Sequence, residues 1–380
     1  MRFNTRLLHD AQPPDPLIGA VNTPIYLSST FRQSAPNRHQ GYVYGRSGNP
    51  TRAVLEATLA ELEGGATGLA FSSGLGALTT LLESVPSGSR IVSVDDVYGG
   101  TWRLFEHHRR QFGLTVDYVD MTDLGTLEEA LREPADLVYL ETPTNPLLKL
   151  VDLREAVRLA RRAKAVVAVD NTFATPALQR PIEKGADIVL HSTTKYLGGH
   201  SDIIGGALVV KDPKRGEQFA WLQNAVGAVP SPFDCFLALR GIHTLGLRMR
   251  AHGESARAVA EALSGRRRVR RVLYPGLRSH PQYLLARRQM EGFGGMVSVE
   301  VDGGKRAALR FLKGLRIFTL AESLGGVESL VDHPATMTHA SVARRVREAH
   351  GVTDGLVRLS CGIEDPADLA EDVTRALKEV

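Results

Sequence analysis

The chain has 380 residues, of which 43% are hydrophobic, enough to bury the cores of two domains. The formal net charge is only +4, from 46 basic and 42 acidic residues, which argues against a nucleic-acid-binding protein. Neither Cys235 nor Cys361 belongs to a CxxC pair, which disfavours a disulfide framework or a structural metal site. Because no signal-peptide or bilayer-spanning apolar stretch is visible, we expect a cytoplasmic protein without membrane or nucleic-acid partners.

The predicted elements begin after an irregular N-terminal segment. Residues 1–50 contain turn-forming sequences such as AQPPDP and GRSGNP, and we predict an extended arm there. From residue 51 to 240, apolar strands alternate with helices, which is typical of a largely parallel sheet covered on both faces. The predicted strands are TGLAFSSG, 90–96, 114–120, 136–142, 165–173, 187–193 and 205–210.

The last third of the chain has a different pattern. A long helical pattern covers residues 232–265, and fewer strands follow it. We therefore predict that residues 241–380 form a smaller α+β domain after the α/β domain of residues 51–240.

Polar residues follow several of the predicted strands. Ligands of parallel α/β sheets bind beyond the carboxyl ends of the strands. The turn Ser73-Gly74-Leu75 opens a helix, and backbone amides at a helix start can bind a phosphate. A tight packing turn is the alternative interpretation. A dinucleotide-binding fingerprint is disfavoured, since Thr79 stands where a third small residue is needed.

Two charged residues stand at the ends of apolar strands. Asp170 follows five apolar residues, so its carboxylate needs a cation, either in a salt bridge or as the protonated ring nitrogen of a cofactor. Lys195 follows a buried strand, and a desolvated lysine is an amine nucleophile. A phosphate-binding turn, a buried aspartate and a buried lysine together predict pyridoxal 5'-phosphate (PLP), and Tyr98 is placed to stack on its ring.

Long motifs resemble the Cys/Met-metabolism branch of fold-type I PLP-dependent enzymes, the trans-sulfuration enzymes. The resemblance runs nearly from end to end. It implies an aspartate-aminotransferase-like α/β fold with a mostly parallel central sheet and a smaller C-terminal α+β domain. The motifs are YGRSGNPTR (44–52), FSSGLGA (71–77), DDVYGGTWRLF (95–105), ETPTNP (141–146), VDNTF (169–173), HSTTKYLGGHSD (191–202), AESLGGVESL (321–330) and LVRLSCGIED (356–365).

The resemblance implies roles in cofactor binding. Lys195 corresponds to the Schiff-base lysine and proton shuttle, Asp170 to the partner of the pyridine nitrogen, and Tyr98 to the residue that stacks on the ring and acts in acid/base steps. Tyr44 and Arg46 match a pair that reaches the phosphate of a neighbouring subunit, which implies dimers with shared active sites and a homotetramer built from them. Further implied cofactor-binding residues are Ser73, Gly74, Leu75, Asn145, Ser192 and Thr194.

The resemblance also implies how a sulfur amino acid is bound. Arg358, with the backbone at Ser323, corresponds to the site for the substrate α-carboxylate. Asn145, near the phenolic oxygen of the cofactor, also belongs to the substrate site. Arg103 and Glu322 match positions that contact the distal end of the substrate.

Three positions bear on the reaction. Methionine γ-lyases carry a cysteine at the position of Gly100 and lack the glutamate at 322, and β-lyases tend to have an aromatic residue at 322. Val43 stands where these enzymes usually have an acidic residue, a change that is expected to relax substrate choice. The pattern favours an enzyme that acts at the γ-carbon of a substrate with a distal amino acid end.

The expected reaction is γ-elimination of L-cystathionine to L-cysteine, 2-oxobutanoate and ammonia. The alternative is γ-replacement of an O-acyl-L-homoserine by L-cysteine, with methionine γ-lyase and cystathionine β-lyase activities ranked below it. From other classes, a nicotinamide-dependent oxidoreductase would not need Lys195. An inactive scaffold of the same fold would not need Asp170 or Arg358.

Overall fold

The computed structural model describes residues 1–15, 17–340 and 342–380, and these contain two β-sheets. The larger sheet comprises β1 (Thr67–Phe71), β2 (Arg90–Val94), β3 (Thr115–Val119), β4 (Leu137–Glu141), β5 (Val166–Asp170), β6 (Ile188–His191) and β7 (Gly206–Val210). The smaller sheet comprises β8 (Val269–Leu273), β9 (Met296–Val301), β10 (Thr319–Leu320), β11 (Leu330–Asp332) and β12 (Leu356–Ser360).

Helices cover both sheets. The helices before β8 are α1 (Phe3–His9), α2 (Pro50–Glu63), α3 (Gly74–Glu83), α4 (Gly99–Phe112), α5 (Leu124–Ala130), α6 (Leu153–Arg162), α7 (Thr175–Leu178), α8 (Pro181–Lys184), α9 (Pro213–Val226), α10 (Pro232–His243) and α11 (Leu245–Leu263). After β8 follow α12 (Tyr283–Gln289), α13 (Gly304–Gly314), α14 (Arg344–Ala349), α15 (Pro366–Ala376) and two 3₁₀ turns, Pro334–Thr336 and Leu377–Glu379.

The larger sheet has the strand order β1-β7-β6-β5-β4-β2-β3. Among the described strands of this sheet, β7 runs opposite to the other six and pairs antiparallel with β1 and β6, which confirms the predicted, mostly parallel central sheet. Parallel strands need crossover connections, and helices such as α4 and α6 supply them. The carboxyl ends of β2, β4, β5 and β6 therefore meet at one edge of the sheet.

Both faces of the larger sheet are buried. Successive side chains of a strand point to opposite faces. Leu69 and Phe71 of β1 accordingly belong to one hydrophobic cluster, whereas Ala70 between them belongs to another. In β6, Leu190 belongs to the first of these clusters and Val189 to the second. The continuous apolar runs of the sequence thus reflect helices on both sides of the sheet.

The smaller sheet packs against helices on one face. Its order is β10-β11-β12-β9-β8, and all neighbours are antiparallel except β10 and β11. Val297 and Val299 of β9 form one cluster with Val259 of α11, Phe311 of α13 and Val373 of α15. The sequence predicted this α+β character.

Two features differ from the predicted elements. Residues 3–9, within the predicted irregular arm, form α1, whose Leu7 is buried against the core. This helix is short and has no side-chain cap at its start, so the sequence carries no helix signal there. The predicted helical stretch 232–265 is divided at Thr244 into two helices.

In the described part of the chain, no helix is both long and apolar enough to cross a membrane. Cys235 and Cys361 are both buried and both carry free thiols.

Candidate active site

A cavity of about 290 Å³ lies at the carboxyl edge of the larger sheet, where the smaller sheet region adjoins it. All the predicted site residues line it except Tyr44, Arg46 and Arg103. The predicted residues in its wall are Ser73, Gly74, Leu75, Tyr98, Asn145, Asp170, Ser192, Thr194, Lys195, Glu322, Ser323 and Arg358.

The turn after β1 opens α3 toward the cavity. Ser73 caps this helix, and its Oγ accepts a hydrogen bond from the backbone amide of Gly76 at 2.9 Å. The amides of Gly74 and Leu75 lie in the first turn, where an α-helix offers no internal acceptor. A Cβ atom at Gly74 would lie 3.1 Å from Ser192 Cβ, so the glycine allows the two segments to approach closely. The arrangement suits a phosphate group.

Thr194 also lines this end of the cavity, but its hydroxyl has partners within the chain. It donates to the carbonyl oxygen of Gly205 at 3.2 Å and accepts from the amide of Gly205 at 3.0 Å. The hydroxyl therefore fixes the loop after β6 against the start of β7. A role as a phosphate ligand remains a prediction for Thr194.

Asp170 ends β5 with its carboxyl group in the cavity wall. It accepts hydrogen bonds from the Thr172 amide at 2.9 Å and the Tyr139 hydroxyl at 3.4 Å. Among the described residues, no ion pair involves it. Burial raises the pKa of this carboxyl group, which means that a cation at this point would stabilise its ionised form.

Lys195 follows β6, and its Nζ donates a hydrogen bond to Ser323 Oγ at 2.8 Å. The pKa of Lys195 is lowered to about 8, mainly by burial and secondly by the charge of Arg358, against the opposing effect of Asp332 and Glu322. Ser323 has a φ of 106°, a left-handed conformation that residues with side chains rarely adopt. The backbone thus holds the acceptor of the lysine amine in a strained position.

Arg358 lies on β12 and is 2% exposed. Its Nη1 donates to Asn145 Oδ1 at 2.6 Å, and its Nη2 donates to the carbonyl oxygen of Ser323 at 3.4 Å. Nη2 also forms a buried ion pair with Asp332, which stands opposite Arg358 in the β11–β12 register. Asp332 had no predicted role, although a carboxylate that follows the apolar residues of a strand is a usable signal.

Tyr98 immediately precedes α4 and is 38% exposed, which leaves its ring at the mouth of the cavity. Its backbone amide donates to Glu141 Oε2 at 2.9 Å. Glu141 lines the cavity but had no predicted role.

Three predicted site residues lie outside the cavity wall. Tyr44 is 48% exposed, and the guanidinium carbon of Arg46 lies 5.6 Å from the centre of its ring. Arg46 Nη1 donates to the carbonyl oxygen of Asn224 of the same chain at 2.6 Å. Arg103 is exposed on α4. The roles of Tyr44 and Arg46 toward a neighbouring subunit, and that of Arg103 toward the substrate, remain predictions.

The loop that carries Lys195 is held by a residue that the sequence analysis did not single out. Arg248 of α11 is 4% exposed and donates to the carbonyl oxygens of Tyr196 at 2.7 Å and Gly241 at 2.6 Å. A Cβ atom at Gly199, whose φ is 73°, would overlap the Arg248 guanidinium. Arg248 therefore braces the backbone directly after the reactive lysine.

The residues present fit the predicted cofactor. The free amides at the start of α3 suit its phosphate, Asp170 has no cationic partner among the described residues and suits a protonated ring nitrogen, and the Lys195 amine suits its aldehyde. These three groups face one cavity. The geometry thus agrees with the chemistry that the sequence predicted.

Comparisons with known proteins cover nearly the whole chain. The family model of Cys/Met metabolism PLP-dependent enzymes matches residues 4–378. The chain is 52% identical to a cystathionine gamma-synthase of Mycobacterium tuberculosis, over 98% of this chain and 96% of that protein. It is 51% identical to a cystathionine beta-lyase of Coxiella burnetii, over 99% and 97%.

A solved structure shows the same similarity in three dimensions. Cystathionine gamma-lyase from Lactobacillus plantarum, complexed with L-serine, superposes with a TM-score of 0.97 at 43% identity, over 100% of this chain and 99% of that chain. Enzymes of this group use PLP, the cofactor that the site was predicted to bind. The chain belongs to the family of Cys/Met metabolism PLP-dependent enzymes.

Proposed function

We propose that this enzyme catalyses the γ-elimination of L-cystathionine to L-cysteine, 2-oxobutanoate and ammonia. The observation that carries the proposal is that Arg358, Lys195 and Glu322 line one cavity. Arg358 is buried in the wall of this cavity, whereas Glu322 is exposed. A substrate with a carboxylate at one end and an ammonium group at the other matches this distribution of charge.

Arg358 is the group that would bind the α-carboxylate. A guanidinium group binds both oxygens of a carboxylate in one plane. Asn145, the backbone of Ser323 and the ion pair with Asp332 fix the plane of the guanidinium from three sides. The substrate α-carbon is thereby placed near Lys195, since Ser323 contacts both residues.

Lys195 is the group that would move the protons. When bound, PLP supplies the electron sink that stabilises negative charge at the substrate α-carbon. With its pKa lowered to about 8, the Nζ amine is partly unprotonated near neutral pH and can accept the α-proton. Lys195 would then remove a proton from the β-carbon as the bond between the γ-carbon and sulfur breaks, and the departing thiolate would take up a proton to leave as cysteine. One water molecule would be consumed as the remaining four-carbon unit is released as 2-oxobutanoate and ammonia. Asp170 would hold the ring nitrogen of bound PLP in its protonated form.

A second candidate function is γ-replacement of an O-acyl-L-homoserine by L-cysteine. The 52% identity with a cystathionine gamma-synthase favours it. Both reactions need the same proton transfers at the α- and β-carbons, so Lys195, Asp170 and Arg358 would serve either one. The reactions differ in whether a γ-substituent is only expelled or is also replaced.

A product assay separates the two functions. The purified PLP-loaded enzyme is given L-cystathionine alone and, separately, O-acetyl- or O-succinyl-L-homoserine with L-cysteine. We expect 2-oxobutanoate release from cystathionine to be the faster reaction, and Lys195→Ala to abolish both. Cystathionine formation much faster than 2-oxobutanoate release would refute the lyase proposal in favour of the synthase.

We also propose the division of the chain and its assembly. Residues 1–50 act as an intersubunit arm, residues 51–240 bind the cofactor, and residues 241–380 form the smaller domain. The unit that completes the active site is a dimer, and two dimers form a homotetramer. The exposed apolar side chains of the arm support this assembly.

A further inference from the structure

Glu141 is a buried carboxyl group in the cavity that the proposed mechanism does not use. It ends β4 and stands directly opposite Asp170 of β5 in the parallel register. Neighbouring strands lie about 4.8 Å apart, and directly opposed residues point to the same face of the sheet. Both side chains line the same cavity. Two carboxyl groups therefore stand side by side where the cofactor ring is expected.

No ion pair to Glu141 or Asp170 is formed within the described residues, so the charge of this pair is not neutralised by the chain. Glu141 is 4% exposed. Burial raises the pKa of Glu141 well above its ordinary value, and the charge of Asp170 raises it further. Two adjacent buried carboxylates repel each other strongly, and such pairs retain one proton.

The surrounding groups differ on the two sides of the pair. On the β6 side, His191 pairs with Glu63 at 2.6 Å, both fully buried, and the electrostatic interaction with His191 is among the effects that lower the pKa of Asp170. On the β2 side, Asp96 adds negative charge that raises the pKa of Glu141. Tyr139 of β4 also faces Asp170, to which its hydroxyl donates. The asymmetry favours the proton on Glu141 and the negative charge on Asp170.

We propose that Glu141 is the proton-holding partner of Asp170: the two share one proton in the apoenzyme, and in the PLP-bound enzyme this proton resides on Glu141 while Asp170 is ionised. The proton count is unchanged, because the pair keeps its single proton and the ring nitrogen carries its own. This inference rests on the cofactor of the family and not on the choice between lyase and synthase.

Glu141 thereby has a positioning role. As a neutral acid, it leaves one anion, Asp170, to face the ring nitrogen. Its carboxyl oxygens still accept hydrogen bonds from the backbone amides of Tyr98 and Asn145. Glu141 thus holds Tyr98, which is expected to stack on the ring, and Asn145, which contacts Arg358, without adding a second negative charge.

Infrared difference spectroscopy of the PLP-bound enzyme in H₂O and D₂O at pH 8 tests the proposal without turnover. We expect the wild type to show the C=O band of a protonated carboxyl group and Glu141→Gln to lose it. The matched control is Asp95→Asn. The Asp95 carboxylate pairs with Lys149 at 3.0 Å, and the pKa of Asp95 is lowered, so it carries no proton at this pH. Its removal is therefore expected to leave the band intact. An unchanged band in Glu141→Gln would overturn the proposal.

A second readout is the pH titration of the visible absorption of the bound cofactor. Glutamine imitates a neutral glutamic acid, so the midpoint is expected to stay at the wild-type value in Glu141→Gln. If Glu141 is instead ionised, the substitution removes a negative charge beside the ring and lowers the midpoint by about one unit or more, which overturns the proposal. If the glutamine variant does not fold, the infrared measurement is made on Glu141→Asp instead. The C=O band of this variant is expected to persist at a shifted frequency, and an unshifted band contradicts the assignment of the proton to Glu141.

Discussion

Burial does more than any single neighbouring charge to determine the chemistry of Lys195. Desolvation is the largest cause that lowers its pKa to about 8, and the positive charge of Arg358 is the second. An ordinary lysine, with a pKa near 10.4, is almost fully protonated at neutral pH and is therefore a poor base and nucleophile. Burial in the cavity wall thus provides the Lys195 amine with its reactivity before any cofactor is bound.

This account predicts a pH dependence in the apoenzyme. Labelling of Lys195 by an amine-reactive reagent, followed by mass spectrometry of its peptide, should increase with pH through a midpoint near 8, because the neutral amine is the reactive form. Arg358→Gln removes a positive charge and should raise the midpoint. Arg270→Gln, at an exposed arginine paired with Glu300 and Asp302, should leave it unchanged. A midpoint near 10 in the wild type would contradict the account.

At the scale of elements, the loop after β6 is positioned by two helices. Gly241 of α10 lies so close to the loop that a Cβ atom there would overlap the carbonyl oxygen of Gly198. Arg248 of α11 binds the carbonyl oxygens of Tyr196 and Gly241 and so joins the loop to both helices. The glycines of the HSTTKYLGGHSD motif thus serve the contact with these helices.

The close contact predicts opposite effects for two glycine substitutions in helices. Gly241→Ala should lower the free energy of unfolding by about 1–3 kcal/mol, because the added methyl group meets backbone atoms that cannot easily move. Gly253→Ala in α11 is the matched control. Apart from its chain neighbours and the backbone of its own helix, no described atom lies within 4 Å of its added Cβ, so alanine should raise the free energy of unfolding by up to about 1 kcal/mol. Urea denaturation measures both, and equal effects would contradict this interpretation of the contact.

The sequence was sufficient to predict the residues at the strand ends but not the residues that hold them. Lys195, Asp170 and Ser73 follow apolar strands, and the carboxyl ends of parallel strands converge, so a local pattern revealed them. Arg248 acts through contacts with segments far away in the chain, and no local spacing encodes such contacts. Asp332 follows the apolar residues of a strand, which is a local signal, but its pairing with Arg358 is not encoded locally. The break between α10 and α11 was not predicted for a different reason: apolar residues continue across Thr244, so the local pattern shows no interruption.

At the scale of the molecule, the N-terminal arm exposes apolar side chains that a single chain does not cover. Leu17, Ile18 and Val21 are 81%, 83% and 89% exposed, and Leu27 is 73% exposed. A cluster of this kind is typical of a surface that contacts another chain. Arg46, which follows this stretch, lies outside the cavity wall of its own chain, as expected for a residue that completes the site of a neighbour.

A mixing experiment tests whether two chains share the active sites. Lys195→Ala and Arg46→Ala chains, each expected to have little activity alone, are dissociated, mixed and reassociated. If Arg46 serves the neighbouring subunit, every mixed dimer contains one intact site, and random mixing restores about a quarter of the wild-type sites. The control combines Lys195→Ala with Asp170→Ala. Both residues line the cavity of one chain, so each site of a mixed dimer keeps one defect and activity does not return. Recovery in the first mixture alone supports shared sites, and inactivity of both mixtures places Arg46 in the site of its own chain.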